Sequence, residues 1–380
     1  MPQARTKRSK DAIRNDGTNR FFPLTFLGLL VVFGVVLYIV GFSDLFSVKY
    51  DRANAQTLGS SSTPSVAVAP VVPVLNTAAY DKKLLQIANN PPPKVSSTST
   101  STLPAKATLW PVKTAYPDAG ALLPFNRIVA YYGNFYSTKM GVLGATPPQV
   151  MIPQLEAAVK EWQEADPSTP VIPGIDYIAV TAQGSPGADG KYRARMPASQ
   201  IDEAISLANQ VHGIVILDIQ VGLSNVQTEV PLLEPYLKLS NVELALDPEF
   251  SMKDGAKPGT EIGTMDATDI NFAANYLATL VKENNLPPKI LVVHRFTQAM
   301  VTRTYDITPL PQVQIVMDMD GWGSPAKKLN TYQQFIANQP VEFTGFKLFY
   351  KNDLRAPSTR MLTPAEILKL TPEPVFIQYQ

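Results

Sequence analysis

From about Asn126 onward, eight short runs of β-branched and aromatic residues alternate with amphipathic segments, and this alternation constrains the fold more than any other feature of the chain. The runs are 127–132, 171–180, 213–220, 242–247, 289–294, 314–320, 342–350 and 375–379. Between them apolar residues recur at helical spacing: Leu155, Val159 and Trp162 share one face, as do Ile201, Ile205 and Ala208. The pattern predicts helices over 148–165, 197–211, 226–237, 267–284, 297–303, 325–338 and 364–368, with Asp266 or Thr268 placed to cap the fourth. Strand and helix alternating eight times over about 255 residues is the signature of an α/β fold of the (β/α)8, TIM-like barrel type. An open doubly wound sheet is the alternative, but it wants a glycine-rich first turn, which is missing after Tyr132.

The chain ahead of this region reads differently. Residues 21–42 carry no charge, and a helix of about 22 residues rises roughly 33 Å, enough to cross a bilayer core. Residues 1–20 form a basic tail with Arg5, Lys7, Arg8, Lys10, Arg14 and Arg20 against Asp11 and Asp16. The positive-inside bias keeps that end cytoplasmic, so we expect a single-pass membrane protein whose C-terminal domain is extracytoplasmic and whose first partner is the lipid bilayer. A cleaved signal peptide fits less well: the apolar run is long, and the small-residue triplet Ala53-Asn-Ala55 lies far beyond it. Residues 43–125, rich in Ser, Thr and Pro, bury too little apolar surface to offset ordering entropy and are expected to form a disordered extracytoplasmic linker, with a helical turn near 80–88. The barrel domain then spans 126–380.

Composition removes several functions. The net charge is +1, which gives no footprint for nucleic acid. There is no cysteine, so disulfides, thiolate metal sites and a cysteine nucleophile are out of reach. The two histidines, His212 and His294, cannot build a multi-histidine zinc site.

What remains is acidic. Three of the runs end alike: Ile214-Val-Ile-Leu-Asp218-Ile-Gln220, Val242-Glu-Leu-Ala-Leu-Asp247-Pro-Glu249 and Gln314-Ile-Val-Met-Asp318-Met-Asp320. Residues two apart on a strand point the same way, so these strands deliver oxygen ligands to one end of the sheet, the end where barrel enzymes carry their sites. Parity turns Leu244 and Leu246 toward the helices and Ala245 and Asp247 toward the axis. Pro248 cannot donate to a ladder, so regular pairing stops there and Glu249 lies on the first loop residues. Two carboxyls so placed can share acid and base work: one, kept protonated, protonates a glycosidic oxygen, and the other stabilises or attacks the developing cation. Glu249, Asp247, Asp218 and Asp320 are therefore the catalytic candidates. The strand-end His294, with Gln220, Asp318 and Lys347, is placed to bind substrate hydroxyls or to neutralise the acids. Trp322, between two glycines, and Tyr132 offer aromatic faces to a sugar ring. The turn-rich loop 183–190 beside Arg193 and Arg195 reads as a plain turn or as an anion nest. No cofactor is expected, although clustered carboxylates also suit a divalent cation.

The words Leu246-Asp-Pro-Glu249 resemble the D-x-E signature of barrel glycoside hydrolases, such as family-25 muramidases and family-18 chitinases. The chitinase pattern has two further acids where this chain has Ala245 and Val242. The muramidase pattern has acids near the first and last strands, which here end Ala130-Tyr-Tyr-Gly133 and Ile377-Gln-Tyr-Gln380. More broadly, 127–380 resembles bacterial secreted or lipoprotein-like barrels with no assigned activity, through Ser185-Pro-Gly-Ala-Asp-Gly190, Leu246-Asp-Pro-Glu-Phe250, Val292-Val-His294, Asp318-Met-Asp-Gly321 and Lys347-Leu-Phe-Tyr350. The resemblance implies a glycosidase acting on cell-envelope polysaccharide, with Glu249 as the acid. A non-catalytic wall-glycan scaffold and a divalent-metal phosphodiesterase-type hydrolase are the alternatives.

Overall fold

The computed structural model describes residues 74–90 and 108–380. Eight parallel strands form the barrel: β1 (Arg127–Gly133), β2 (Val171–Ala182), β3 (Ile214–Ile219), β4 (Val242–Leu246), β5 (Lys289–Arg295), β6 (Val313–Met319), β7 (Phe343–Leu348) and β8 (Phe376–Tyr379). Each pairs with its neighbours in sequence, and β1 pairs with both β2 and β8, so the sheet closes without an edge. This is the barrel the alternation of runs predicts, and the open sheet is excluded.

Period-2 alternation sorts the strand side chains into two apolar layers. Leu217, Leu244, Leu246, Leu291 and Ile315 face outward and pack on the helices. Ile128, Ala130, Ile216, Ala245, Val292, Val316 and Phe376 face inward and fill the lower barrel. The helix Thr77–Ala88 (α1) precedes the barrel, and Pro148–Ala165 (α2), Ala198–Gln210 (α3), Ala267–Asn284 (α4) and Pro325–Tyr332 (α5) lie outside the strands in sequence order. Asp266 caps α4 through the Thr268 amide, as its position suggested, and Asp269 completes a capping box. The expected helix over 226–237 is broken into Val226–Glu229, a 3-10 turn Val230–Leu233 and Glu234–Leu237, because Pro231 and Pro235 each lack a backbone donor. The helix expected over 297–303 does not form. Its β-branched Val301–Thr302 pairs instead with Met265–Asp266 in a small two-stranded sheet.

The N-terminal end of the barrel is closed by α1. Asn76 caps this helix, which buries Tyr80 and Ile87 against the inner apolar layer. Lys83 Nζ donates to Thr169 Oγ1 at 2.6 Å, Asn89 Nδ2 reaches the Leu370 carbonyl at 2.8 Å, and the Glu373 amide donates to the Ile87 carbonyl at 2.7 Å. From 108 onward the chain is again bound to the barrel. Trp110 donates its indole N–H to the Ala337 carbonyl, and Gln314 bonds both backbone groups of Leu123 from inside the floor. The disordered stretch expected over 43–125 therefore contains two segments that belong to the barrel, because their few apolar residues, Tyr80, Ile87, Trp110 and Leu123, all find the same floor. The apolar run at 21–42 and the basic tail lie outside the described residues. No helix among the described residues is long and apolar enough to cross a membrane.

Candidate active site

Strand parity and the end of regular pairing build the upper barrel. Inward positions are mostly apolar in the lower half, Glu243 and Gln314 excepted, and become polar toward the C-terminal ends. There Asp218, His294 and Asp318 lie beyond reach of solvent, Asp247 is 1% exposed, Asp320 6% and Glu249 8%. Regular β4 pairing stops at Leu246, and Pro248–Phe250 turns as a 3-10 segment, so Glu249 reaches the cluster from a turn, as Pro248 suggested.

His294 is the hub. Its Nε2 lies 3.0 Å from Asp218 Oδ2 and its Nδ1 3.0 Å from Asp318 Oδ2, with Asp320 Oδ2 3.7 Å from the same Nδ1. A ring that meets carboxylate oxygens at both nitrogens is matched as an imidazolium, the form that donates from both. Burial acts against that charge, but the hydrogen bonds of Asp218 and Asp318 and the charges of Asp218 and Asp320 outweigh it and hold the His294 pKa well above its ordinary value. Lys347 supplies the other positive charge: Nζ is 3.1 Å from Asp320 Oδ1 and 3.8 Å from the centroid of the Tyr132 ring. Gln220 ties the β3 and β4 tips together, donating to Asp247 Oδ2 at 3.2 Å and to the Tyr132 hydroxyl at 3.1 Å, while its carbonyl oxygen accepts from the Ala182 amide.

Six carboxyl groups (Asp176, Asp218, Asp247, Glu249, Asp318 and Asp320) thus share a dry barrel end with two basic side chains. All six cannot be charged at once, because unpaired buried charge is costly, so some hold protons. Burial, aided by the Asp218 charge, pushes the Asp247 carboxyl up to about 8. Burial and the charges of Asp247 and Asp320 push Glu249 well above the carboxylate range. Asp320 is raised by burial, with Lys347 and His294 pulling it back down. One oxygen each of Asp247, Glu249 and Asp320 lie within 4.8 Å of one another. Three oxygens that far apart sit about 2.8 Å from a common centre, a little beyond the roughly 2.3–2.6 Å of calcium ligands, so a small closure would let these side chains serve as the first ligands of a divalent cation as well as a proton-sharing group.

The rim is pinned. Buried Lys328 donates from Nζ to the Gly321 carbonyl (2.8 Å) and the Lys347 carbonyl (2.7 Å) and pairs with Asp353 at 3.1 Å. Asp353 in turn accepts from the amides of Gly323 and Phe349. The loop bearing Trp322 is therefore fastened to the end of β7. Trp322 lies at the mouth with Lys327 and Arg355 over its ring. Phe250, Phe296 and Phe349 line the same mouth, whose free volume is about 50 Å³. That is room for a few water molecules.

All the residues singled out from the sequence converge here. Tyr132, Gln220, Glu249, Asp320, Trp322 and Lys347 line the mouth, and Asp218, Asp247, His294 and Asp318 form the layer beneath. One carboxyl of the cluster was missed. Asp176, in the middle of β2, accepts from Gln378 Nε2 at 2.5 Å, and burial followed by the Asp218 charge raises its pKa strongly. Its signal was an ionisable residue inside an apolar run with the parity of Gly174 and Ile178. The search for carboxylates at strand tips passed over it. Arg193 and Arg195, beside the 183–190 loop, are already engaged: both bond buried Glu229 at 2.7 Å, so the anion nest is not formed.

No protein-family model matches the chain, and no curated protein does. Among solved structures it is similar to a β-mannanase of Thermomonospora fusca in complex with mannotriose (17% identity over 61% of this chain and 75% of that one, TM-score 0.34). It is also similar to a Bacteroides ovatus GH5 xyloglucanase in complex with a XXXG heptasaccharide (14%, 70% and 73%, TM-score 0.37). A ruminal GH26 endo-β-1,4-mannanase gives 12%, 67% and 59%, with a TM-score of 0.33. Likenesses at these scores say nothing about chemistry, which is read from the side chains.

Proposed function

We propose that the protein is a membrane-anchored, extracytoplasmic glycoside hydrolase of cell-envelope polysaccharide. The observation that carries the chemistry is the triad of Asp247, Glu249 and Asp320 oxygens within 4.8 Å, one of them beside Lys347. Glu249, kept protonated by burial, is the acid: it gives its proton to the glycosidic oxygen as the bond to the anomeric carbon breaks. Asp320, the carboxyl with a lysine at 3.1 Å, is the nucleophile that closes on that carbon. Water, deprotonated by the Glu249 carboxylate, then displaces Asp320 and releases the sugar. Of the two roles open to Asp247, nucleophile or stabiliser, a carboxyl pushed up to about 8 fits the second, as a protonated hydrogen-bonding stabiliser. Carboxyls this close suit the retaining geometry, about 5–5.5 Å, better than the inverting one, about 6.5–9.5 Å. The location is supported by sequence alone, through the uncharged 21–42 run and the basic residues before it.

The test is turnover of peptidoglycan fragments and chitin-type oligomers by the full-length chain, with products followed by mass spectrometry and their anomeric form by NMR. Glu249→Gln is expected to lower turnover by about 10²–10⁴-fold. If wild type and variant behave alike, the acid assignment is wrong. One observation favours a second reading. A mouth of about 50 Å³ admits a sugar ring only if its aromatic side chains swing aside, so tight glycan binding without product would identify a non-catalytic wall-binding barrel. A melting-temperature rise with Mg²⁺ or Ca²⁺ that Asp247→Asn abolishes would favour the divalent-cation hydrolase.

A further inference from the structure

Beside the narrow mouth lies a much larger cleft, about 500 Å³, between the β1 loop, the start of α2 and the loop after β7. That volume is in the range of ligand sites, roughly 300–1,000 Å³. Phe349, Asn352 and Gln380 line both spaces, so cleft and mouth form one continuous surface. Their polar linings differ. At the mouth and beneath it the basic groups are already engaged: Lys347 pairs with Asp320, and His294 with Asp218 and Asp318. Among the described residues the cleft is lined by Lys139, Lys351 and Arg355 and by no Asp or Glu side chain. Arg355 bridges the two, with its guanidinium 5.2 Å from the centroid of the Trp322 ring at the mouth. Tyr350 gives the cleft a rigid wall: it stacks on Tyr379 at 5.1 Å, and its hydroxyl lies 3.0 Å from that of Tyr131.

From this polarity we infer that the cleft holds an anion-bearing sugar unit of the glycan whose neighbouring neutral unit enters the mouth. The inference rests on the glycosidase reading for what happens at the mouth, but the cleft stands on its own lining. An anionic unit gains little beside the paired Lys347 and is attracted by the exposed Lys351 and Arg355 a short way along the same surface. A chain with charged and neutral units can therefore settle in one register only. Charge thus selects which bond faces Glu249, and a uniformly charged or uniformly neutral chain loses that selection. Both carboxylate and phosphate present the oxygens that Lys and Arg recognise.

The test measures binding by the full-length chain carrying Glu249→Gln, so that any cleavage does not interfere. The probes are three oligosaccharides of equal length: neutral, uronate-bearing and phosphate-bearing. An acidic probe is expected to bind more tightly than the neutral one, and the preference should shrink in high salt. Lys351→Gln with Arg355→Gln should reduce it about three- to tenfold. Both side chains are exposed, so the fold is unaffected, and Lys351→Glu should reduce the preference further. Whether uronate, phosphate or both bind identifies the source of the anion. Equal binding of neutral and acidic probes, or a preference untouched by the substitutions, would overturn the proposal. Turnover in the Glu249 chain is read separately: a charge preference without hydrolysis removes the enzymatic reading and leaves the cleft, and hydrolysis without a charge preference does the reverse.

Discussion

Asp247→Asn is the most informative perturbation of the buried cluster, because it removes a titration while keeping a side chain of the same shape. The Asp247 carboxyl rises from an ordinary 3.8 to about 8 in the fold, driven first by burial and then by the Asp218 charge. Between those values the folded chain holds a proton that the unfolded chain has released. The stability this group contributes is therefore fully present below about pH 4 and is lost as the pH rises through 8. One proton is worth about 1.4 kcal/mol per pH unit, so a single isolated site would lose about 4 kcal/mol between pH 5 and pH 8. Glu249 and Asp320 lie within the same 4.8 Å group and spread the proton uptake, which brings the expected loss to about 2–4 kcal/mol. Asn cannot ionise, so the variant escapes that loss. It still accepts from Gln220, and its new amide N–H lies where Asp247 Oδ1 has no partner, a pH-independent penalty of about 1–3 kcal/mol. The assay is urea unfolding of both proteins at pH 5, 6, 7 and 8. The variant should gain on wild type by about 2–4 kcal/mol across that range, whatever its starting offset. Parallel profiles would show that Asp247 does not hold a proton in the fold, and the proton-sharing account of the cluster would go with them.

Other outcomes follow from the same geometry. His294→Ala leaves Asp218 and Asp318 buried without the cation between them and should destabilise by about 3–5 kcal/mol in urea. Because the folded His294 pKa is above the ordinary 6.5, the wild-type advantage should be full below that pH and fade as the pH rises through the folded value. Gly345→Ala would put a Cβ 2.5 Å from Asp318 Oδ1. We expect about 1–3 kcal/mol of overpacking strain, together with a lowered His294 pKa in imidazole NMR titration as Asp318 is displaced. An unchanged titration would mean the acid moves without leaving the ring. On the floor, the Tyr80 hydroxyl is buried with no partner among the described residues, so Tyr80→Phe should be neutral or raise stability by about 1 kcal/mol, whereas Tyr80→Ala should lose about 3–5 kcal/mol in thermal or urea unfolding.

The barrel was legible because its strands are short apolar runs bounded by helices of the right period. Helices 148–165 and 267–284 were found to the residue. The segment 297–303 misled because six or seven residues with β-branched members carry no clear period, and a distant pair, Met265–Asp266, decided the outcome. Parity located Asp218, Asp247, Asp318 and Asp320 in one cluster, since alternation along a strand is a local rule. It could not locate Asp176, which sits below a strand tip and becomes important only because Gln378 arrives from the other end of the chain. Nor could local reading show that Lys328 and Asp353 clamp the Trp322 loop, or that Glu229 occupies both arginines near 183–190: each depends on contacts across dozens of residues. Two pieces of the expected tether, 74–90 and 108–125, were misjudged for a related reason. Their composition is that of a disordered chain, but a few apolar residues suffice when a preformed hollow awaits them.

The helix α1 that stoppers the barrel floor also gives the molecule a direction. The described chain enters α1 at Val74, on the end of the barrel opposite the mouth. A pull applied at Val74 falls first on α1, through the Lys83–Thr169, Asn89–Leu370 and Ile87–Glu373 contacts. The helix is thus placed as a mechanical fuse: under load it would peel from the floor while the closed ring of strands, which has no free edge, kept the mouth intact.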